Sequence, residues 1–560
     1  MKKNSAIKNL LALVLVLAFA FPTLSAAQTA TKAKSAARRA AENITAKQMS
    51  DYLYFIASDE MEGRDTPSRG LDTTAKFIGL NLSRWGFKPA GDDGTFYQKI
   101  ALRRDAVDAT ATSLEINGRK FVYGEDLLRV SGNNTGALSA PVVYAGDGWL
   151  IKSKNLNPYQ NIDVKGKFIA VYGEGQINGR NLVPLPAGVT QADLTGERGK
   201  DWADAASYAR ANGAAGVIVL PSNSIAEAWS FLRQSFGRSR TYVEKFAQPG
   251  ALTLAPAGTT VFVASQKLAE AIFGGERVNP LASGAANDSF DLSASKKVNV
   301  NIAIKPETLT TQNVVAIWEG SDPTLKAEMV AVGAHYDHIG ISQNAQAPDR
   351  INNGADDDGS GTTAILSIAE ALSKSRKRPK RSILFVWHCG EEKGLWGSQY
   401  FTNFPTVDLK SVVAQLNIDM IGRSKKANDA NPKNANLSGE TEVYVIGSEM
   451  MSSKLGAEVK AVNDSYLKLK YDFRYDDTKD PNRFFFRSDH YNYAIKGIPI
   501  AFWFDGVHED YHQPGDEPQK IDYNKMQMVT RTIFLTMWEL ADLKERPKVD
   551  RQLPPELTTR

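Results

Sequence analysis

From residue 298 to residue 545, short apolar runs of β type alternate with amphipathic helical runs. The predicted strands include residues 328–332, 382–387, 412–418, 442–446 and 498–504, and the predicted helices include residues 362–373 and 524–543. Such alternation is typical of an α/β domain with a largely parallel sheet. In open sheets of this type, ligands bind at the carboxyl ends of the strands, so functional residues are expected just beyond the predicted strands.

Histidine is confined to this part of the chain: all six histidines lie between His335 and His512, among acidic clusters. Histidine nitrogen and carboxylate oxygen are zinc ligands, and a pair of metal ions needs carboxylates to offset its charge. Four candidate residues follow a predicted strand by one to five positions and are expected to converge: His335, Glu391, Glu392 and Asp419. The pattern predicts a catalytic metal site in this half of the chain.

Three consecutive acids, Asp356, Asp357 and Asp358, stand in a glycine-rich loop before a predicted helix. A helix N-terminus favours an acidic cap, which accounts for one of them, Asp358. It does not account for three, because the repulsion among adjacent carboxylates has to be offset, and a divalent cation is the usual means. The triplet therefore indicates a metal ligand.

The adjacent acids Glu391 and Glu392 follow a predicted buried strand. Neighbouring residues in an extended segment point in opposite directions, so the two carboxylates are expected to have different roles. One can bind a metal ion while the other faces the substrate as a general base. The alternative is an ordinary surface turn before a predicted helix at residues 395–401.

The remaining candidates are weaker when taken one by one. Asp337 is placed to orient His335 as a metal ligand, as carboxylates commonly do, although a buried structural histidine is the alternative. Asp419 ends an apolar strand, where a buried acid needs a partner. His512 lies in a loop and indicates little by itself.

The other histidines have more ordinary interpretations. His388 is expected to pack within a strand. His338 and His508 are expected to be polar loop residues, with lining of the cleft as the alternative. His490, beside Asp489, either supports a ligand or simply packs.

Taken together and in this order, these stretches resemble the co-catalytic zinc exopeptidases, a family that includes aminopeptidase Y, bacterial leucyl aminopeptidases, glutamate carboxypeptidases and glutaminyl cyclases. The resemblance covers residues 45–110 and 300–545. It is carried by residues 333–337 (GAHYD), 353–361 (NGADDDGSG), 390–398 (GEEKGLWGS), 417–420 (NIDM), 488–490 (SDH), 497–499 (GIP) and 511–512 (YH). It implies a phosphorylase/hydrolase-like, three-layer αβα domain with a mostly parallel mixed sheet.

The resemblance also implies a role for each candidate. Asp357 would bridge two zinc ions, Glu391 would be the general base, and Asp337 would orient His335. The first zinc ion would be held by Asp357, Glu392 and His512, and the second by Asp357, His335 and Asp419. In the family pattern, the peptide bond after the bridging aspartate is often cis.

The activity implied is that of a zinc-dependent aminopeptidase, a hydrolase that removes N-terminal residues from peptides. A carboxypeptidase or dipeptidase of the same family is the alternative, since Arg483 and Arg487 stand near Ser488 and could bind a carboxylate. A glutaminyl cyclase is less favoured, because that branch uses one zinc ion and this sequence keeps the full ligand set. A non-catalytic binding protein on the same fold is the alternative from a different class.

Residues 110–300 differ from the rest of the chain in composition and pattern: they contain short β-type runs, no histidine and no acidic cluster. They are predicted to form a separate, non-catalytic domain inserted into the peptidase domain. The segment resembles a protease-associated (PA) domain at residues 163–171 (DVKGKFIAV) and 205–218 (AASYARANGAAGVI). By analogy with related enzymes, such a domain would cover the mouth of the active site and restrict substrate size.

Residues 1–27 have the three features of a secretory signal. Lys2, Lys3 and Lys8 form a basic start, residues 10–21 form an unbroken apolar run of twelve, and residues 25–27 offer a small-residue cleavage site. The run is shorter than the ~20 residues that a membrane span needs. We expect a signal peptide at residues 1–27, a leader at 28–45, a tail at 546–560, and a secreted or periplasmic mature protein that is not held at the membrane.

Composition adds two limits. The formal net charge is +4, and removing the three signal lysines leaves about +1, which gives no electrostatic argument for nucleic-acid binding. Cys389 is the single cysteine, so no intramolecular disulfide is possible, and it is expected to be a small buried hydrophobic residue. Nothing in the sequence indicates the oligomeric state.

Overall fold

The computed structural model of the protein describes residues 36–131, 135–173, 182–236, 240–247, 259–281, 289–342, 344 and 346–557. These residues form two compact units. The first unit contains residues 36–100 and 310–557, and the second lies between residues 101 and 309. The predicted signal peptide, residues 1–27, lies outside the described residues.

The N-terminal segment of the first unit is helical at residues 36–41 and contains two longer helices after that. With the two strands that follow, its elements are α1 (Ala46–Ile56), α2 (Arg69–Arg84), β1 (Lys88–Pro89) and β2 (Tyr97–Val107). A capping box starts α1, because the Thr45 side chain accepts a hydrogen bond from the Gln48 amide while the Gln48 side chain accepts one from the Thr45 amide. Ser68 caps α2, because its side chain accepts a hydrogen bond from the Leu71 amide.

The second unit contains twelve strands and four helices in its described residues. They are β3 (Ser113–Ile116), β4 (Arg119–Phe121), β5 (Leu127–Ser131), β6 (Gly136–Tyr144), β7 (Leu150–Ile151), β8 (Phe168–Val171), β9 (Trp202–Ala203), α3 (Ala205–Asn212), β10 (Gly216–Val219), α4 (Asn223–Glu227), α5 (Trp229–Phe236), β11 (Arg240–Val243), β12 (Val261–Ala264), α6 (Gln266–Phe273), β13 (Phe290–Asp291) and β14 (Lys297–Ile302). Its main sheet has the order β4-β3-β14-β6-β8-β10-β12-β5, and the strands from β6 to β12 in this order are parallel.

The C-terminal segment of the first unit alternates strands and helices. Its elements are β15 (Ile304–Trp318), β16 (Met329–His335), α7 (Gly361–Ser373), β17 (Ser382–His388), α8 (Trp396–Asn403), β18 (Val412–Ile418), β19 (Glu442–Ile446), α9 (Ser453–Ser465), β20 (Lys470–Asp472), α10 (His490–Ala494), β21 (Ile500–Phe504) and α11 (Tyr523–Asp542). The order of the strands in the sheet of this unit is β2-β15-β17-β16-β18-β21-β19-β20.

This sheet is mixed and parallel at its centre. β17, β16, β18 and β21 run parallel to one another, whereas β15 is antiparallel to β17 and β19 is antiparallel to β21. Every residue of the four central strands is buried, which explains why their sequences read as continuous apolar runs rather than alternating ones. The prediction of an α/β domain with a mostly parallel mixed sheet is confirmed.

Helices contact this sheet as two groups. In one group, α1, α7 and α11 contact one another, and α7 and α11 contact β16. In the other, α8 and α10 contact each other, with α8 against β17 and α10 against β21. Two helix groups on one sheet give the expected αβα layering. No helix in the described part of the chain combines the length and the apolar character that a membrane span requires.

Candidate metal centre

Three neighbouring parallel strands bring the predicted residues to one edge of the sheet. His335 is the last residue of β16, Asp419 directly follows β18, and Glu391 and Glu392 come shortly after β17. Because β16 lies between β17 and β18, the carboxyl ends of the three strands are adjacent. The structure therefore brings together the residues that were expected to converge, with His335 inside its strand rather than beyond it.

The acidic triplet lies in a turn that leads into α7, and the backbone of Asp357 and Asp358 is not helical. The carboxylate of Asp516 accepts hydrogen bonds from the backbone amides of Asp356 and Asp357 at 3.0 and 3.1 Å. The carboxylate of Asp358 accepts one at 2.8 Å from the first backbone amide of α7, so Asp358 is the acid that caps the helix. The peptide bond between Asp357 and Asp358 is cis, as the family resemblance implies.

Asp357, His335 and Asp419 form the first group of possible metal ligands. The Nε2 atom of His335 lies 3.3 Å from Oδ1 of Asp357 and 3.6 Å from Oδ1 of Asp419. One ligand atom from each residue lies within 4.8 Å of the others, and all three side chains are buried. One nitrogen and two carboxylate oxygens at this spacing suit a single zinc ion.

A second group uses the other oxygen of Asp357. Nε2 of His512 lies 3.2 Å from Oδ2 of Asp357 and 3.1 Å from Oε2 of Glu392. His338 completes this group, because its Nδ1 atom lies 2.8 Å from Oε1 of Glu392 and 3.7 Å from Oδ2 of Asp357. Asp357 is therefore common to both groups. His338 had been interpreted as a polar loop residue, and its position three residues after His335 was the only signal for it.

Several atoms of both groups are buried without hydrogen-bond partners. Among the described residues, no hydrogen bond is made by Nε2 of His335, either ring nitrogen of His338, Nε2 of His512, Oδ2 of Asp357 or Oε1 of Glu392. Buried polar atoms are normally paired, so their convergence indicates a bound ligand. Imidazole nitrogen and carboxylate oxygen are the donors that zinc prefers, so the residues present fit zinc.

Burial and neighbouring charges together set the protonation of this cluster. Burial raises the pKa of Asp357, but the imidazoles of His335 and His512 outweigh it and hold that pKa well below its usual value. Burial lowers the pKa of His512, but the carboxylates of Asp357 and Glu392 outweigh it and raise that pKa to about 10. Imidazoles held between carboxylates bind either a proton or a metal ion, so metal binding here would release protons.

Glu391 stands beside the first group rather than within it. Its Oε2 atom is 4.0 Å from Nε2 of His335, and its side chain is 12% exposed. Burial raises the pKa of Glu391 well above the usual value; His335 opposes this rise, and the charges of Glu392 and Asp419 add to it. A carboxylate with a raised pKa next to a metal-ligand cluster suits a general base.

The contact that orients the His335 ring is with the backbone of Asp337. Nδ1 of His335 lies 3.1 Å from the Asp337 carbonyl oxygen and 3.6 Å from the Asp337 carboxylate. The same carboxylate accepts a hydrogen bond of 3.1 Å from the Glu391 backbone amide. Asp337 therefore contacts both His335 and the segment that carries Glu391.

A buried arginine joins the loops that carry the cluster. Arg64 is fully buried, and its guanidinium donates hydrogen bonds of 2.7–2.9 Å to the carbonyl oxygens of Ile56, Tyr336, Asn353 and Gly354. Tyr336 follows His335, and residues 353–354 precede the acidic triplet. Sequence analysis did not single out Arg64, because no local pattern shows that a distant arginine is buried against these loops.

The remaining histidines lie outside the two groups. His388 ends β17 and contacts a buried tyrosine hydroxyl at 3.0 Å, as expected for packing at a strand. His490 lies 2.8 Å from a backbone carbonyl oxygen, and His508 lies 3.3 Å from Asp356. Cys389 is buried, and burial raises the pKa of its thiol well above the usual value.

A pocket beside Glu391 is lined by both acidic and aromatic residues. Its lining consists of Asp357, Glu391, Asp419, Met420, Phe484, Arg487, Ser488, Phe502, Phe504, Val507 and Tyr511. The exposed Arg487 places its guanidinium 5.1 Å from the centre of the Phe484 ring. Arg483 is not part of this lining, and its guanidinium lies 4.4 Å from the ring of Phe486.

Sequence comparison finds relatives for the part of the chain that carries the cluster. A probable leucine aminopeptidase of Arthroderma benhamiae is 31% identical over 228 residues, which is 39% of this chain and 56% of that protein. Leucine aminopeptidase 2 of Trichophyton rubrum is 27% identical over 291 residues, which is 47% of this chain and 52% of that protein. The chain spans about half the length of the curated relatives it matches.

Among solved structures, a zinc aminopeptidase from Bacillus subtilis is similar over 92% of this chain and 99% of that one, with 18% identity and a TM-score of 0.49. The profile of Peptidase family M28 matches residues 313–537. Both groups of possible ligands, Glu391 and the pocket beside it all lie between these residues. The candidate metal centre is therefore contained entirely in the part of the chain that matches Peptidase family M28.

Proposed function

We propose that this protein is an exported aminopeptidase that uses two zinc ions to remove N-terminal residues from peptides. The proposal is carried by one observation: the two carboxylate oxygens of Asp357 face two separate groups of buried imidazoles and carboxylates. A shared carboxylate between two such groups is the arrangement that two-metal hydrolases need. The match to Peptidase family M28 and the names of the relatives support the same activity.

The residues present supply the parts of a hydrolytic mechanism. Asp357, His335 and Asp419 would hold one ion, and Asp357, Glu392 and His512 the other. When bound, zinc would lower the pKa of a water molecule and polarise the peptide carbonyl. Glu391 would accept a proton from the water and donate it to the leaving amine. The Asp337 carbonyl would keep Nε2 of His335 directed at its ion, because it lies against Nδ1 on the opposite side of the ring.

The pocket supports a preference for apolar N-terminal side chains. Phe484, Phe502, Phe504 and Val507 line it together with the carboxylates. A free α-amine would be attracted by the carboxylates, while an apolar side chain would be buried against the aromatic residues. Leucyl and phenylalanyl substrates should therefore be cleaved faster than glutamyl ones.

We also propose that the unit between residues 101 and 309 is a protease-associated domain without catalytic residues of its own. Its composition supports this, because this part of the sequence contains no histidine. Export is supported by the signal-like features of residues 1–27.

The direct test is the zinc content of the mature protein, starting near Gln28, together with the cleavage of a substrate panel. The panel contains leucyl-, phenylalanyl- and glutamyl-p-nitroanilide, N-acetyl-leucyl-p-nitroanilide, and peptides with a blocked N- or C-terminus. We expect about two zinc ions per chain and cleavage only where the N-terminus is free.

Three other results would change the proposal. Cleavage that requires a free C-terminus would move the assignment to a carboxypeptidase and give Arg487 a role in binding the carboxylate. Cleavage of dipeptides alone would indicate a dipeptidase. No bound metal and no turnover after zinc addition would leave a binding protein on a peptidase fold.

A further inference from the structure

We propose that His338 is an additional protein ligand for the ion held by Asp357, Glu392 and His512. The ion held there, at what we call the His512 position, would then have four protein donors. The ion held by Asp357, His335 and Asp419, at the His335 position, would have three. The inference rests on the two-zinc function proposed above, and it goes beyond that function by making the two positions unequal.

The distances place His338 in this group as firmly as His512. Its Nδ1 atom is 2.8 Å from Glu392, whose other oxygen is 3.1 Å from His512. The Nδ1 atom and the Glu392 oxygen are this close although their angles are not those of a hydrogen bond. Two ligands of one ion approach each other in this way, because both direct lone pairs at the same point.

The residues around His338 enclose its imidazole. His338 is fully buried, and its backbone amide donates a hydrogen bond of 3.2 Å to the carbonyl oxygen of the buried Arg64. Gly354 lies against the ring, and a Cβ atom at that position would stand 2.3 Å from the backbone oxygen of Asp357 and 2.5 Å from Cγ of His338. A side chain at position 354 would therefore force Asp357, His338 or both to move. Burial of an imidazole with no hydrogen bond at either nitrogen is costly, and a bound cation would offset that cost.

The extra donor divides the cluster into two unlike halves. Zinc is usually four-coordinate, and sites closed by four protein ligands are structural, whereas catalytic sites keep a position open for water or substrate. With His338, the His512 position has a full set of donors. The His335 position, which has Glu391 beside it, keeps an open place. We therefore expect the ion at the His512 position to bind more tightly and the ion at the His335 position to exchange more readily.

The test measures zinc retention rather than activity. The mature full-length protein is loaded with zinc and dialysed against graded concentrations of a chelator, and zinc per chain is measured by mass spectrometry. The native protein should lose its zinc in two steps. His338→Phe keeps a buried ring but removes both nitrogens. It should raise the dissociation constant of the more tightly bound zinc ion by at least about tenfold, so that the two steps merge or one ion is lost.

The matched control is His490→Phe, which changes a buried histidine of the same unit that lies outside both groups. It should leave both steps unchanged. Folding of each variant is compared by circular dichroism, and His338→Ala, which leaves only empty space, decides the question if His338→Phe does not fold.

The possible outcomes separate this inference from the proposed function. Two-step zinc loss that is the same in the native protein and in the folded His338 variants would overturn the inference and leave the two-zinc function intact. Failure of the native protein to bind zinc at all would overturn both. If the more tightly bound zinc ion is held less tightly in the His338 variants alone, His338 is supported as an additional ligand.

Discussion

The two compact units share a structural theme but differ in what they bury. Each contains a sheet with four neighbouring parallel strands, β17-β16-β18-β21 in the first unit and β6-β8-β10-β12 in the second. Among the described residues, the buried polar side chains of the second unit are four: Thr112, Asp126, Ser222 and Thr260. The first unit buries many more, including most of the acids and all but one of the histidines of the candidate metal centre.

Asp126, the one acid that is buried among the described residues of the second unit, shows how an ordinary buried carboxylate is paired. Asp126 accepts hydrogen bonds from the Val122 amide at 2.9 Å, from Lys267 at 3.1 Å and from Ser265 at 3.3 Å. Asp357, in contrast, has a buried oxygen with no hydrogen bond. Burying a charge without a partner lowers stability, so a cluster of unpaired buried charges does not help a sheet of this kind to fold. The unpaired cluster of the first unit is therefore better explained by ligand binding than by folding.

The largest expected effect is that of metal removal, which should act on the first unit alone. Chelation should reduce peptide hydrolysis to background, and zinc addition should restore it. An ion present at one hundred times its dissociation constant stabilises the folded state by about 2.7 kcal/mol. Hydrogen exchange should therefore increase around residues 335–338, 355–360 and 391–392 and stay unchanged between residues 101 and 309. Activity that survives exhaustive chelation would contradict the two-zinc function.

Lowering the pH should remove zinc, as chelation does. The ligands must be deprotonated to bind zinc, and neighbouring carboxylates raise the pKa of His512, against the effect of burial, to about 10. Protons therefore compete more strongly as the pH falls, and zinc per chain should decrease monotonically from pH 8 to pH 5. Zinc content that is constant across this range would argue against His512 as a ligand.

The next largest effect is expected for Glu391→Gln, which removes the proposed base and keeps the shape of the side chain. The turnover number should fall by about 10²–10⁴-fold, since that is the usual contribution of general acid–base catalysis. Zinc content should not change, because Glu391 lies outside both groups of ligands. Glu440→Gln, at an exposed acid of the same unit, is the control and should have no effect on either measurement. Loss of zinc with loss of rate would make Glu391 a ligand instead.

A smaller effect, on stability, is expected for Arg64→Ala. Removal of the guanidinium takes a hydrogen-bond donor from four buried carbonyl oxygens, of which that of Gly354 also accepts one from the Gly359 amide at 3.1 Å. The free energy of unfolding should fall by on the order of 3–5 kcal/mol. Because these carbonyl groups belong to the loops of the cluster, zinc affinity should also fall. Arg381→Ala removes another fully buried arginine, which contacts Glu328, and should lower stability without altering zinc affinity. Equal effects of both variants on zinc would refute a positioning role for Arg64.

The smallest effect is expected on the surface of the second unit. Lys167 and Asp291 form an ion pair of 2.6 Å that is partly open to solvent. A double-mutant cycle with Lys167→Met and Asp291→Asn, followed by urea denaturation, should give a coupling energy of about 0–1 kcal/mol. Hydrolysis and zinc content should be unaffected. A larger coupling energy would mean that surface ion pairs contribute more to the stability of the second unit than we expect.

Much of the first unit could be predicted from local sequence alone. The bounds predicted for the strands at residues 412–418 and 442–446 coincide with β18 and β19, and the helix predicted at 362–373 begins one residue early as α7. Other ends differ: the strand predicted at 328–332 is β16 (Met329–His335), and the strand predicted at 498–504 is β21 (Ile500–Phe504). Periodicity and apolar runs are local properties, so they can be read without knowing the tertiary structure.

Residue types and their spacing are enough to predict an α/β half with histidines and acids at the ends of its strands, because both are properties of the linear chain. Three contacts are visible in the folded structure alone: His338 faces Glu392, the Asp337 carbonyl rather than its carboxylate lies closest to His335, and Arg64 is buried against the loops of the cluster. These contacts depend on strand order and burial, which arise from packing between residues far apart in sequence and leave no local pattern.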